Sequence, residues 1–445
     1  MKNSPYKAEI YLFLNIAIAM VMLINSKLST IYSLIIVAYG LYRILTKKNA
    51  DGAAHICAAY VVGIEVLFRM NSGGFGYEYG KYAAILFLLT GMLVDQGSRK
   101  KPVAFIIFLF LLVPSIFFVD YPTFDLSRQM VSFNLSGPVI LGVSCIYFYR
   151  RKINPAQMKR FLLSMLYPIG AMSIFVYFKS GDLEYVDFTT ESNFQASGGF
   201  GPNQVSTIFG LGILIIAMAY FLKIKLFKVK LLNAILLLAF LIRGLATFSR
   251  GGMLAPTLAI ITCIVIMSLS DSGFQERMGR VAYAFIAILV IGFAGFYYVN
   301  EVSGGLLEMR FKGESMYNKD KSTMFSGREE IFQEDIEVFE GSPITGVGPG
   351  MASEKRREIS GIEAAAHIEY SRLLAEHGMF GILAILILVL FPPKYFLMLK
   401  SSDNKILLIL CVVFVYTTLG HAAMRTAAPG FIYGMAFLNF VRLRK

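Results

Sequence analysis

Apolar residues in this chain come in long runs, separated by short polar connections. Runs of membrane-spanning length centre near residues 10–25, 29–46, 53–69, 82–96, 103–119, 136–149, 160–178, 204–222, 231–248, 253–269, 280–298, 378–398, 405–420 and 429–443. The pattern predicts an all-α polytopic membrane protein with about fourteen transmembrane helices. Several runs are short or contain glycine, so tilted or broken helices are expected among them. The first run follows Lys2 and Lys7 with no small-residue cleavage pattern, which reads as a retained helix. Two polar stretches interrupt the series, one at 179–203 and a longer one at about 300–366. The expected division is transmembrane helices over 1–298, an extracytoplasmic loop with an amphipathic helix over 299–366, and C-terminal transmembrane helices over 367–445.

Composition agrees with that reading: 56% of the 445 residues are apolar and only 16% charged, which excludes an ordinary soluble domain. The net charge of +13 invites nucleic acid as a partner, but its distribution excludes one. With the N-terminus inside, 25 of the 42 basic residues fall in or beside connections on one side, for example Arg43/Lys47/Lys48, Arg150/Arg151/Lys152 and Lys223/Lys225/Lys228/Lys230. That is the positive-inside pattern, and it predicts cytoplasmic termini. Residues 299–366 fall on the outer side and carry eight Lys/Arg against thirteen Asp/Glu. Cys57, Cys145, Cys263 and Cys411 all lie within apolar runs, without disulfide or metal-ligand spacing, and read as small packing residues.

Positive-inside logic leaves seven arginines at the outer edge unexplained: Arg69, Arg128, Arg243, Arg250, Arg328, Arg372 and Arg425. Arginines converging on one cavity would suit a phosphate or diphosphate, because the guanidinium donates in pairs and stays charged. Each alone is also explained by snorkelling or a local ion pair. For Arg372 the pair is visible, with Glu369 at i−3 and Glu376 at i+4. Arg243 and Arg250 are seven residues apart, roughly 10 Å along an unbroken helix, and would then share a face.

Local signals sit in the loops. Ser326-Gly-Arg-Glu329 fits a capping box and precedes apolar residues at helical spacing, predicting a helix over about 327–340 with Arg328 in its first turn. Gly346-Val-Gly348-Pro-Gly350 lacks the Lys-Ser/Thr and strand–helix context of a phosphate loop and reads as a turn. His367 stands where the chain re-enters the membrane, placed to take a proton from a hydroxyl or to serve structure alone. On a continuous helix it shares a face with Ser371, Gly378 and Gly381, whose glycines would admit a neighbouring helix. His421 and Arg425 form an i, i+4 pair at another outer end. Asn203 and Gln204 follow Pro202 at a helix start; their amides suit carbohydrate hydroxyls or helix caps.

These pieces together resemble the O-antigen ligase and O-antigen polymerase family of bacterial envelope enzymes. The matching stretches are Phe133-Asn-Leu-Ser-Gly-Pro138, Phe200-Gly-Pro-Asn-Gln204, Phe248-Ser-Arg-Gly-Gly252, Ser326-Gly-Arg328, Pro343-Ile-Thr-Gly-Val-Gly-Pro-Gly350 and His367-x-x-Tyr370 with Leu374, Glu376, Gly378 and Gly381. They run in the family's order across about residues 130–385. Ile368 departs from the pattern, since many relatives carry Asn there. The resemblance implies a GT-C-like fold, a polyprenyl-diphosphate-linked glycan donor and acceptor, and transfer without metal or cofactor. It places the functional arginines at Arg250 and Arg328 and the base at His367, and brings Tyr370 into the substrate region. Metal-dependent members of the wider fold class carry an acidic pair in the first outer loop, which here is Asn25-Ser-Lys27.

The expected function is therefore an inverting membrane glycosyltransferase at the outer face of the bacterial cytoplasmic membrane. It would polymerise undecaprenyl-diphosphate-linked repeat units, with a chain-length regulator as a protein partner. Arg250 and Arg328 would hold the donor diphosphate with Arg69, Arg128, Arg243, Arg372 and Arg425; Asn203, Gln204 and Tyr370 would contact substrate. The alternatives are an O-antigen ligase acting on lipid A-core, a lipid-linked oligosaccharide flippase, and a non-catalytic scaffold. A flippase should carry charges deep in its central spans, and a scaffold leaves the outer arginines unexplained.

Overall fold

The computed structural model describes residues 4–74, 76–95, 102–119, 121, 123–270, 278–314, 328–361 and 368–442, with side chains at 278–285, 287, 288 and 328 excepted. Among them the helices are α1 (Lys7–Ile24), α2 (Lys27–Thr46), α3 (Ala53–Met70), α4 (Tyr79–Val94), α5 (Val103–Leu111), α6 (Pro114–Phe117), α7 (Phe124–Phe148), α8 (Pro155–Ser180), α9 (Pro202–Phe221), α10 (Leu231–Ala246), α11 (Arg250–Ser270), α12 (Met278–Val302), α13 (Leu306–Lys312), α14 (Arg328–Gly341), α15 (Met351–Ser360), α16 (Glu369–Met398), α17 (Ser402–Leu419) and α18 (Ala427–Met435). Nine are long and apolar enough to cross a membrane, and four shorter apolar helical stretches accompany them. The chain is a multi-pass, all-α membrane protein.

Three details differ from the expected fourteen full spans. The run at 103–119 is broken between α5 and α6 at Pro114, which cannot continue the preceding hydrogen-bond ladder. The last run, 429–443, is helical only through the nine-residue α18. It ends in a two-residue strand, β2 (Asn439–Phe440), which pairs in parallel with β1 (Lys152–Ile153). A half-helix of this kind is tolerated at membrane depth only where protein surrounds it, and every residue of α18 is buried.

The core forms around α3, α7, α8, α9, α17 and α18. Helix α3 packs between α4 and α8, α18 lies along α7, and α17 lies along α11. Close approach comes from small residues, as expected where lipid offers no hydrophobic drive between helices. A Cβ on Gly210 of α9 would overlap the Gly252 carbonyl of α11. All four cysteines are buried. Helices α1 and α2 sit at the periphery, with apolar side chains such as Phe13, Ile24, Ile35 and Tyr42 exposed.

Candidate functional site

The site is built where α17 turns back into α18. Residues 420–426 carry that turn, and three buried groups fasten it. The Glu65 carboxylate accepts from the Ala427 N–H at 2.7 Å, at the first residue of α18. Arg69 Nη1 donates to the Arg425 carbonyl at 2.8 Å. The Met424 N–H donates to Glu369 Oε2 at 3.0 Å. A carboxylate at a helix start satisfies an orphan donor and complements the dipole.

Charges buried this deeply persist only when paired and hydrogen-bonded. Arg69 meets Glu65 at 2.6 Å, with both side chains at most 3% exposed. It also donates to Gln204 Oε1 at 3.1 Å and lies over the Tyr77 ring at 4.1 Å. The Gln204 amide donates in turn to Tyr77 Oη at 3.2 Å. Beside this cluster, Glu78 pairs with Lys81 at 2.7 Å, and Ser136 donates to the same carboxylate oxygen at 2.7 Å.

A second arm comes from the start of α16. Arg372 bonds both Glu369 and Glu376, the latter at 2.7 Å, as the i−3 and i+4 spacing predicts. Next to Arg372, Ser371 donates to Asp335 Oδ2 at 2.6 Å, and Asp335 also holds the fully buried Arg356 of α15. Burial raises the Asp335 carboxyl from its ordinary value, against the pull of Arg356 and Ser371.

Through these contacts α14 and α15, the described helices of the polar insertion next to α16, are held onto it. Helix α16 breaks at Gly378, whose backbone takes φ 57°, ψ −134°. The loop before α15 docks into that break: Val347 N–H donates to the Ala375 carbonyl, Gly348 N–H to the Glu376 carbonyl and Met379 N–H to the Pro343 carbonyl, at 3.0, 3.0 and 2.8 Å. Cβ atoms on Gly346 or Gly378 would overlap the opposing backbone, and both residues have positive φ. The glycines expected to admit a neighbouring helix instead serve this break. A Cβ on Gly381 would meet the Leu373 carbonyl of its own helix.

Between these arms lies a cavity of about 240 Å³. Arg356, Arg372, Arg425, Glu369, Glu376, Asn134 and Gln129 supply its polar lining, and Met130, Phe133 and Met424 its apolar one. Three arginines against two glutamates leave one positive charge in excess among the lining side chains. An apolar platform beside charged donors and acceptors is a combination that can take a sugar and a phosphate together.

Of the residues singled out in the sequence, Arg372 and Arg425 line this cavity. Arg69 and Gln204 lie behind it, holding the turn. Arg250 begins α11 and donates to the Arg310 carbonyl of α13 at 2.8 Å. Its neighbour Gly251 abuts His421, so Arg250 stands at the same end of the bundle. Asn203 accepts from Ser249 Oγ at 2.7 Å. His421 is buried against Thr417 and Thr207 while Arg425 faces the cavity, so the two diverge. Tyr370 reaches the Tyr416 carbonyl at 3.5 Å.

Two arginines are elsewhere. Arg128 is 68% exposed and paired with Asp125 at 3.5 Å. Arg243 bonds Ser180 at 3.3 Å and lies over the Tyr177 ring. The helix expected to join Arg243 and Arg250 is interrupted between Ala246 and Arg250, with Phe248 at φ 57°. They therefore do not share a face. Arg328 is the first residue of α14; its side chain, the cap Ser326 and His367 lie outside the described residues.

Sequence reasoning missed Glu65, Glu78, Lys81, Asp335 and Arg356. Glu65 carried a usable signal, being a carboxylate inside an apolar run. Arg356 carried none, because Glu354-Lys-Arg-Arg-Glu358 reads as a solvated charge run.

Comparison with curated proteins gives no match. Residues 234–386 match the family model described as O-antigen ligase. That segment contains Arg250, Asp335, Arg356, Glu369, Arg372 and Glu376. Over that segment the chain is similar to the O-antigen ligase family.

Proposed function

We propose that this protein is a membrane glycosyltransferase that lengthens a glycan carried on a polyprenyl diphosphate. The observation that carries the reading is the cavity between α16 and the α17–α18 turn. It is walled by arginines and carboxylates, and much of its wall lies inside the matched segment. Arg425 and Arg372 face it, and Arg250 and Arg328 begin helices of the same polar region.

In the proposed reaction the acceptor hydroxyl attacks the anomeric carbon of the donor. The bond from that carbon to the diphosphate oxygen breaks, and its electron pair leaves with the diphosphate. The arginines stabilise the charge developing there, and His367 takes the hydroxyl proton. A single displacement inverts the anomeric centre, and no step calls for a metal or cofactor. The GT-C-like fold, cytoplasmic termini and a site facing the outside of the bacterial cytoplasmic membrane belong to the same proposal. The distribution of basic residues supports that orientation.

A lipid-linked repeat unit as acceptor makes the protein a polymerase, the reading proposed; lipid A-core as acceptor makes it a ligase. The test is replacement of Arg250, Arg328, Arg425 and His367 by alanine, one at a time, in cells making the polysaccharide. Each variant should insert normally and yield no polymer. Normal chain lengths in all four variants would refute the assignment.

A further inference from the structure

The bundle has a second large cavity, at the end opposite the proposed catalytic site. It has a volume of about 550 Å³ and lies among the end of α2, the start of α3, the end of α4 and the β1 connection between α7 and α8. Lys47, Lys48, Arg151 and Lys152 line it, with Asp95 as the acidic member. Four cations against one carboxylate is a different balance from the catalytic end.

The wall of this cavity is cross-linked by polar contacts. Arg151 is buried, lies 3.7 Å over the Tyr147 ring and pairs with Asp95 at 2.6 Å. Asn49 donates to Asp95 and to Tyr147 Oη, and its side-chain oxygen accepts from the Ala54 N–H at 3.0 Å. Tyr147 Oη in turn meets His55 Nδ1 at 3.2 Å. Asp95, the one lining carboxylate among the described residues, is therefore taken up by Arg151 and Asn49. The first N–H groups of α3 are also engaged, Ala53 with Asp51 and Ala54 with Asn49. What remains is ammonium: Lys47, Lys48 and Lys152 are exposed and have no carboxylate partner among the described residues. The turn that presents Lys47 and Lys48 holds Lys48 and Asn49 at φ 46° and 54°, a backbone that non-glycine residues adopt at a cost.

Three ammonium groups without carboxylate partners among the described residues, on a hydrogen-bonded polar wall at one end of a helical bundle, suit a phosphate ester. The volume is in the range of small-ligand sites. We propose that this cavity binds a phosphate-bearing headgroup, at a site separate from the transfer reaction.

The test uses the full-length protein in neutral detergent. The four buried cysteines allow thermal unfolding to be followed with a thiol-reactive dye. The probes are phosphatidylglycerol, phosphatidylcholine and glycerol 1-phosphate. Phosphatidylglycerol should raise the melting midpoint, and Lys47→Gln/Lys48→Gln/Lys152→Gln should weaken that response about tenfold or more in lipid concentration. Lys225→Gln/Lys230→Gln, at another basic connection, should leave it unchanged. A shift from glycerol 1-phosphate as well would identify a free phosphate ester as sufficient; a shift from phosphatidylglycerol alone would identify an anionic lipid. An equal phosphatidylglycerol response in the triple variant, or no response in the native protein, would overturn the proposal. Native mass spectrometry of the same samples should show one fewer tightly bound lipid on the triple variant when lipid is the ligand.

Discussion

The two ends of this bundle differ in how they hold most of their charge. At the end bearing the polar insertion, arginines are buried and matched to carboxylates: Arg69 to Glu65, Arg356 to Asp335, and Arg372 to Glu369 and Glu376. At the other end Arg151 and Asp95 also form a largely buried pair, but Lys47, Lys48 and Lys152 are exposed without acidic partners among the described residues. Buried pairs fix geometry, because breaking one strands a charge. Exposed ammonium groups fix little and remain available to a ligand. The contrast explains why a polar insertion interrupted by glycines can hold a defined cavity, for its charges are the fasteners.

The sharpest way to break the comparison is Asp335→Ala. It leaves Arg356 buried without its carboxylate and should cost about 3–5 kcal/mol, read as a large fall in melting midpoint. Asp335→Leu with Arg356→Met should recover most of that loss, since apolar replacement of both partners removes the stranded charge. Glu65→Ala comes next, because it unpairs Arg69 and uncaps α18; a loss of about 3 kcal/mol is expected. Glu65→Gln should be milder, as its amide oxygen can still accept from Ala427. Gly378→Ala tests the loop docking. Its backbone conformation and the opposing loop disfavour a side chain, and about 1–3 kcal/mol should be lost, measurable by the same melt. The smallest effect belongs to Arg128→Ala, an exposed pair expected to change stability by less than about 0.5 kcal/mol. A large effect there would show that the exposed and buried arginines are not distinct classes.

Much of this was legible in the sequence, and the reasons for the rest are specific. Apolar runs locate the helices, and the i−3 and i+4 spacing alone names both partners of Arg372. The final run was misjudged because α18 and a full span share one composition. Only burial among neighbouring helices lets the chain stop at Met435. The separation of Arg243 from Arg250 rests on a left-handed Phe248, which no glycine or proline announces. Arg356 was hidden because its burial depends on α14 and α16, both distant in sequence. Gly346 and Gly378 were visible as glycines, but not as the two halves of one contact.

The most direct test is reconstitution of the purified protein with lipid-linked repeat units in the presence of a chelator. Longer lipid-linked chains, abolished by Arg425→Ala and His367→Ala in protein that melts normally, are the predicted result. Unchanged donor even when lipid A-core is supplied, or movement of the donor across the bilayer with no new glycosidic bond, would contradict a glycosyltransferase.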